Sequence, residues 1–265
     1  MPNLQVVKQK VAAADAAQGT GGLMTRKVDA AVKVMLTKKV NPNQIWQNLQ
    51  LVDKSGSMGN EYRKGHVQEA VERALGFAVL VDDDGSVPTC FFSSSLYTTE
   101  VKLDNFHGLI ERERISAGGS TDLTAALQWA AKETGNGDLF SGGLLRRGGS
   151  APSVKKMDTP AFVTIVTDGR PDNTQTAIDA VQRLSYRGCF LKFLYVGEDN
   201  LGWQFLESLD NDIPVGVPYE KGGRLIDNVN AQKMASLGHD DSVFYNAMLE
   251  EVNSWLAAAK QQGLI

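Results

Sequence analysis

The chain has 265 residues, 42% of them hydrophobic and 22% charged, with 27 Lys and Arg against 31 Asp and Glu for a formal charge of -4. This composition excludes the charge-rich, apolar-poor signature of a disordered chain, and the scattered charges form no polybasic stripe of the kind that binds nucleic acid. The start, MPNLQVVKQKVAAADAAQ, lacks the continuous apolar segment of a secretory signal, and no apolar run reaches the roughly 18 residues of a membrane span, so a cytoplasmic protein without a transmembrane segment is expected.

Residues 4–15 and 27–39 carry apolar residues at helical spacing, with Val28, Ala31, Val32 and Met35 on one face, and GTGG at 19–22 separates them. They are expected to form a helical extension over residues 1–44, ahead of one domain spanning 45–265. QIWQNLQLVD reads as a first central strand ending at Asp53. From Arg63 to Val81 the apolar positions Val67, Ala70, Val71, Ala74, Leu75 and Ala78 recur at i, i+3, i+4 and i+7, which places one helical face on the sheet. DDDG at 82–85 lacks the ligand spacing of an EF-hand loop and reads as a solvated turn. SVPTCFFSS and YTTEVKL then suit a hairpin, with Pro88 favouring an edge position or a strand start.

A short helix near 105–112 leads into AGGSTDLTAALQWAAKETG, where a glycine and hydroxyl cluster precedes a helix over 122–133 with Leu123, Ala126, Leu127, Ala130 and Ala131 inward. Residues 135–159, glycine-rich with RRGG and KK, read as a long exposed loop insertion. PAFVTIVTDG is a continuous apolar strand ending at Asp168, followed by a helix over 172–187 and a second apolar strand, CFLKFLYVG. Helices near 202–210 and 240–260 close the chain, the latter with Phe244, Met248, Trp255 and Ala259 on one face, and IPVGVP between them offers a last short strand. Cys90 and Cys189 sit in apolar runs and suit buried free thiols of a reducing compartment. His66, His107 and His239 show no metal-binding spacing.

Strands alternating with helices, the strands apolar throughout, imply an α/β fold: a doubly wound, mostly parallel central sheet with helices on both faces. In such folds ligands gather outside the carboxyl ends of the strands, where Asp53 and Asp168 both fall. Asp53, Ser55 and Ser57 offer a carboxylate and two hydroxyls on a short loop, Thr121 a further hydroxyl and Asp168 a further carboxylate. An oxygen-only set without sulfur or imidazole favours Mg²⁺, Mn²⁺ or Ca²⁺ over zinc or copper. With few carboxylates the ion is left under-neutralised, and a carboxylate from another molecule completes it most simply. The competing readings are plain turns and caps: Asp53, Ser55 and Ser57 as a capping turn, Thr121 as the N-cap of the 122–133 helix, Asp168-Gly169 as a strand-end turn. Asp172 is expected to cap the helix that follows it, and Arg170 to contact an acidic partner.

Taken together, DKSGSM, AGGSTDLTAAL and TIVTDG resemble the metal-ion-dependent adhesion site of the von Willebrand factor A family, in the family's order across about 115 residues. EYRKGHVQEAVERALGFAVLVDDDGSVPTCFFSS is similar to the intracellular, copine-like branch found in bacterial tellurite-resistance (TerF-like) proteins. The resemblance implies a Rossmann-like fold in which Asp53, Ser55, Ser57 and Thr121 hold a divalent metal directly or through water, with Asp168 acting through water. It implies a non-enzymatic protein-binding module, in a tellurite-resistance or stress-response system, that captures a partner's Asp or Glu through the metal. Lys54 beside the metal aspartate and the 135–159 insertion depart from the family pattern. Two other classes stay open: a metal-dependent phosphoryl-transfer or hydrolytic enzyme, for which Ser55 stands where a second acidic residue would be wanted, and a scaffold with a structural metal site.

Overall fold

Residues 4–41, 44–82, 85–141, 151–198, 200–234 and 240–265 are described in a computed structural model of the chain. Their extended runs are β1 (Gln47–Asp53), β2 (Val87–Phe92), β3 (Leu96–Val101), β4 (Ala161–Thr167), β5 (Cys189–Tyr195) and β6 (Val229–Lys233), paired in the order β3-β2-β1-β4-β5-β6. All neighbours run parallel except β2 and β3, whose antiparallel register pairs Thr89 with Thr99 and Phe91 with Tyr97. The hairpin reading is correct. Its geometry places Pro88 as the second residue of β2, an interior strand because β3 adds outside it.

Ten helices connect and cover the sheet among the described residues: α1 (Leu4–Gln18), α2 (Leu23–Thr37), α3 (Gly59–Arg63), α4 (His66–Val81), α5 (Leu109–Arg112), α6 (Leu123–Glu133), α7 (Thr174–Leu184), α8 (Asn200–Asn211), α9 (Asp241–Met248) and α10 (Val252–Gln261). Side chains alternate across a strand, so a strand covered on both faces is apolar at nearly every position. β4, polar only at Thr164 and Thr167, shows this: Phe162 and Val166 point to the face carrying α1, α2, α4, α9 and α10, while Val163 and Ile165 point to that of α6, α7 and α8. The expected doubly wound α/β architecture is therefore present.

Aromatic residues join the first face together. Trp46 stacks edge-on to Phe162 at 5.7 Å between centroids, Phe162 lies 5.7 Å from Phe190, and Trp255 of α10 closes the row at 5.2 Å from Phe190 and 5.9 Å from Trp46. Such contacts add to the burial of large rings. The last helical stretch can reach this position because it breaks: Glu251, at φ 62, separates α9 from α10. Periodicity alone reads 240–260 as one helix, since the apolar stripe continues across the turn.

One further expectation is corrected. IPVGVP forms no strand: Val215 makes one isolated bridge to Arg224, and the last strand is β6. The described flanks of 135–159 are mostly exposed but anchored, with Leu139 and Met157 buried, the Met157 N–H donating to the Leu264 carbonyl at 2.8 Å and Arg187 pairing with Asp138 at 2.9 Å. The RRGG part of that segment, residues 83 and 84 of DDDG, and His239 lie outside the described residues. Both cysteines are free and buried, and burial pushes each thiol up to about 12.

Candidate metal centre

The chain leaves β1 through α4 toward β2 and β3 on one side, then returns to place β4 on the other side of β1. Strand order thus reverses between β1 and β4, and the gap outside their carboxyl ends is where such a fold binds ligands. Asp53 ends β1 and Asp168 follows β4 directly.

Val52 pairs with Val166, so Asp53 and Thr167 are the next residues along adjacent strands, on the same face. The Thr167 hydroxyl donates to Asp53 Oδ2 at 2.6 Å, and the Ser55 N–H donates to Asp53 Oδ1 at 2.7 Å. The Tyr62 hydroxyl donates to the Asp53 main-chain carbonyl at 3.2 Å. Beyond Asp53, the Ser55 and Ser57 hydroxyl oxygens lie 3.0 Å apart, and Ser57 donates to Asp168 Oδ1 at 2.8 Å. Four of the expected residues are thereby joined in one hydrogen-bonded chain.

Thr121 arrives on the second loop. The Gly118 N–H donates to the Lys54 carbonyl at 2.7 Å and the Gly56 N–H to the Gly119 carbonyl at 3.1 Å, which ties this loop to the first. Gly119 sits at φ +87, a backbone conformation that favours glycine, and a Cβ there would lie 2.6 Å from the Ser94 hydroxyl. Thr121 and Asp172 exchange two bonds: the Thr121 N–H donates to Asp172 Oδ1 at 3.2 Å and the Asp172 N–H to the Thr121 carbonyl at 2.9 Å. Asp172 therefore joins the second and third loops instead of capping a helix. Asn173 caps α7, and Asp122 caps α6 by accepting from the Ala125 N–H. The Thr121 Oγ1 and Ser57 Oγ both border Gly169, at 3.9 and 4.0 Å from the position of its absent Cβ.

Burial dominates the electrostatics. Asp53 is fully buried, which pushes its carboxyl up to about 6 against the opposing hydrogen bonds from Thr167 and Ser55. Burial also raises Asp168, with Ser57 working against it and Glu61 reinforcing it. These are carboxylates short of positive charge. Lys54 does not supply it, for its ammonium donates to Ser93 Oγ at 2.9 Å, and Arg170 is exposed.

A hard cation fits this donor set. Octahedral ligands at about 2.0–2.1 Å from Mg²⁺ stand roughly 2.9 Å from one another, close to the 3.0 Å and 2.8 Å steps along Ser55, Ser57 and Asp168. Among the described residues no group of three or more His, Cys, Asp and Glu converges. The site depends on hydroxyls.

Thr167 and Tyr62 escaped the sequence reading. A threonine closing an otherwise apolar strand beside a second strand-end aspartate was the available signal for Thr167, while Tyr62 carried none. Gly197 is a third: its Cα packs so closely under the third loop that an added Cβ would overlap the Asp168 carbonyl and the Tyr195 ring. Gly197→Ala is expected to cost about 1–3 kcal/mol, as overpacking does, and to weaken Mn²⁺ binding. Thermal unfolding with a metal titration measures both; unchanged values would show that the loop accommodates a methyl group freely.

Comparison with known proteins places these motifs in context. The model of the vWA-TerF-like family, described as the vWA found in TerF C terminus, matches residues 47–265. YcbR of Bacillus subtilis (strain 168), an uncharacterized protein, is 26% identical over 242 residues, 89% of this chain and 87% of its own. Proximal thread matrix protein 1 of the mussel byssus has the same fold at TM-score 0.52 and 15% identity, over 79% of this chain and 48% of that one. The manganese-loaded TRAP protein of Plasmodium vivax is also similar, at TM-score 0.48 and 18% identity over 79% of this chain and 73% of its own. Among the described residues no helix is long and apolar enough to cross a membrane.

Proposed function

Because the chain belongs to the vWA-TerF-like family over residues 47–265, we propose that it is a metal-dependent docking module. Asp53, Ser55, Ser57 and Thr121 would hold a Mg²⁺, Mn²⁺ or Ca²⁺ ion, with Asp168 acting through water. When bound, the ion supplies a concentrated positive charge that an Asp or Glu side chain of a protein partner can satisfy. The observation that carries this reading is the convergence of two carboxylates and three hydroxyls from three loops at the switch point of the sheet. Asp53 orients the set from below, with Thr167 and the Ser55 amide fixing its carboxylate. A tellurite-resistance or stress-response setting in the cytoplasm is the process proposed from family membership.

Binding is favoured over catalysis by the state of Asp53. Its two oxygens are engaged by Thr167 and Ser55 in a fully buried position, which suits a positioning carboxylate and not a phosphoryl acceptor open to substrate. EPR titration with Mn²⁺ tests the reading: one saturable site is expected, displaced by Mg²⁺ and weakened about tenfold or more by Ser57→Ala. Proteins retained on the immobilised chain should then be released by EDTA. The absence of Mn²⁺ binding at millimolar metal, or retention indifferent to EDTA, overturns the metal bridge.

A further inference from the structure

Beside the metal loops lies an open groove of about 560 Å³ between the start of α4 and the segment 108–116. Tyr62, Ile110 and Ile115 give it apolar walls, and Arg63, Arg114 and Glu111 its charges, so the lining is net positive by one. Arg114 is exposed, takes the left-handed backbone region at φ 54, and makes no side-chain hydrogen bond or ion pair with the described residues. Its left-handed conformation ends α5, with the Ile115 N–H donating to the Ile110 carbonyl at 2.9 Å, and turns the side chain's anchor point toward the groove wall. Arg63 is also exposed and donates to Asn60.

The groove and the metal loops share one residue and one loop. Tyr62 lines it with its ring while its hydroxyl reaches the Asp53 carbonyl. On the other wall the chain runs from Ile115 directly to Gly118, whose N–H binds Lys54. Tyr62 is common to both, so an extended peptide, at roughly 3.3–3.6 Å per residue, needs only a few residues to reach from one to the other.

Resting on the docking reading above, we propose that this groove is its second anchor and takes an extended acidic segment of the partner protein. The first carboxylate of that segment meets the metal, an apolar side chain lies over Tyr62 and Ile115, and a second carboxylate within about four positions pairs with Arg63 and Arg114. A guanidinium fork matches a carboxylate in two parallel bonds, which gives direction as well as attraction. Glu111 on the same wall, with Asp168 and Glu61 near the metal loops, disfavours a polyanion such as nucleic acid. A short segment with spaced charges avoids them.

Selection of a randomised heptapeptide display library on the full chain in Mn²⁺, with elution by EDTA, tests this. The expected consensus holds one invariant acid, an apolar residue and a second acid within four positions. On the Arg63→Glu/Arg114→Glu protein the second acid should be replaced by Lys or Arg, while the invariant acid and EDTA elution persist. Arg114→Gly suits the left-handed backbone and so preserves the fold; it should weaken the selected peptide about fivefold, as loss of a partly exposed ion pair does, with Mn²⁺ affinity unchanged. A consensus with a single acid, indifferent to charge reversal, overturns the groove and leaves the metal docking standing. Enrichment that ignores EDTA, or none above a Mn²⁺-free selection, overturns both.

Discussion

In EDTA at pH 7.5 the Asp53→Asn protein should unfold at a higher temperature than the wild type, although Asp53 is the central residue of the proposed metal site. Burial pushes the Asp53 carboxyl from 3.8 up to about 6, and about 1.4 kcal/mol accompanies each unit, so the ionised group costs the metal-free fold roughly 2–3 kcal/mol. The sign follows from proton binding. With the folded value above the unfolded one, the native state holds the proton more tightly, so stability is lost as pH rises from about 4 to about 6 and stays reduced above that. Asparagine keeps the shape and the bond from the Ser55 amide without the charge. A gain of about 2 kcal/mol, or about 4–8 °C, is expected at pH 7.5, shrinking toward pH 4. Saturating Mn²⁺ should reverse the order, because a ligand at a hundred times its Kd stabilises wild type by about 2.7 kcal/mol and leaves the variant unchanged. Two results contradict this: a variant less stable than wild type in EDTA, or one that Mn²⁺ stabilises equally.

Lys27→Met should be the most damaging of the single changes considered. Lys27 and Glu72 are almost wholly buried with 3.7 Å between ammonium and carboxylate, and Lys27 also lies 3.4 Å from Asp241, itself held by Arg73 at 2.6 Å. The cluster joins α2, α4 and α9, so it docks the N-terminal helices, which precede the family match, onto the sheet. Removing one partner of a buried pair leaves the other without compensation and costs about 3–5 kcal/mol. Burial already raises the Glu72 carboxyl, with Gln68 and then Lys27 opposing it, so losing Lys27 raises it further. The deficit should therefore be largest above neutrality and diminish as the pH falls and Glu72 takes up a proton. Adding Glu72→Gln should restore more than half of the lost stability. Denaturant unfolding at pH 5 and pH 8 measures these values, and a loss below 1 kcal/mol at pH 8 would show that the N-terminal helices depend on apolar contact alone.

Much of the architecture was legible because local patterns and tertiary demands agreed. Apolar runs ending in Asp53 and Asp168 marked parallel strands covered on both faces, and the stripes of α4 and α6 marked the helices that cover them. The misreadings occurred where a distant contact decides. IPVGVP is more apolar than β6, VNAQK, but β6 is the strand that completes the sheet: the Leu191 N–H donates to the Asn228 carbonyl just before it, and Asn230 within it receives the Lys192 ammonium. That pairing is invisible along the chain. Asp172 reads locally as a cap, and only the approach of the Thr121 loop gives it another partner. The flanks of 135–159 read as exposed by composition and mostly are, but their anchoring by Leu264 and Arg187 could not be read from the sequence.

For the candidate site, the residues that converge were legible in the sequence: Asp53, Ser55, Ser57, Thr121 and Asp168 all stood out, since hard-oxygen chemistry depends on residue type and on position at strand ends. Tertiary structure decided how they are set. The reversal of strand order between β1 and β4 brings Asp53 against Thr167, and the resulting burial raises its carboxyl. Loop-to-loop bonds place Thr121 beside Gly169, and the packing of 108–116 against α3 and α4 opens the groove at Arg114. The division has a physical cause. Donor chemistry belongs to single side chains, whereas desolvation, proton affinity and surface shape arise only from groups that the fold brings together across more than a hundred residues.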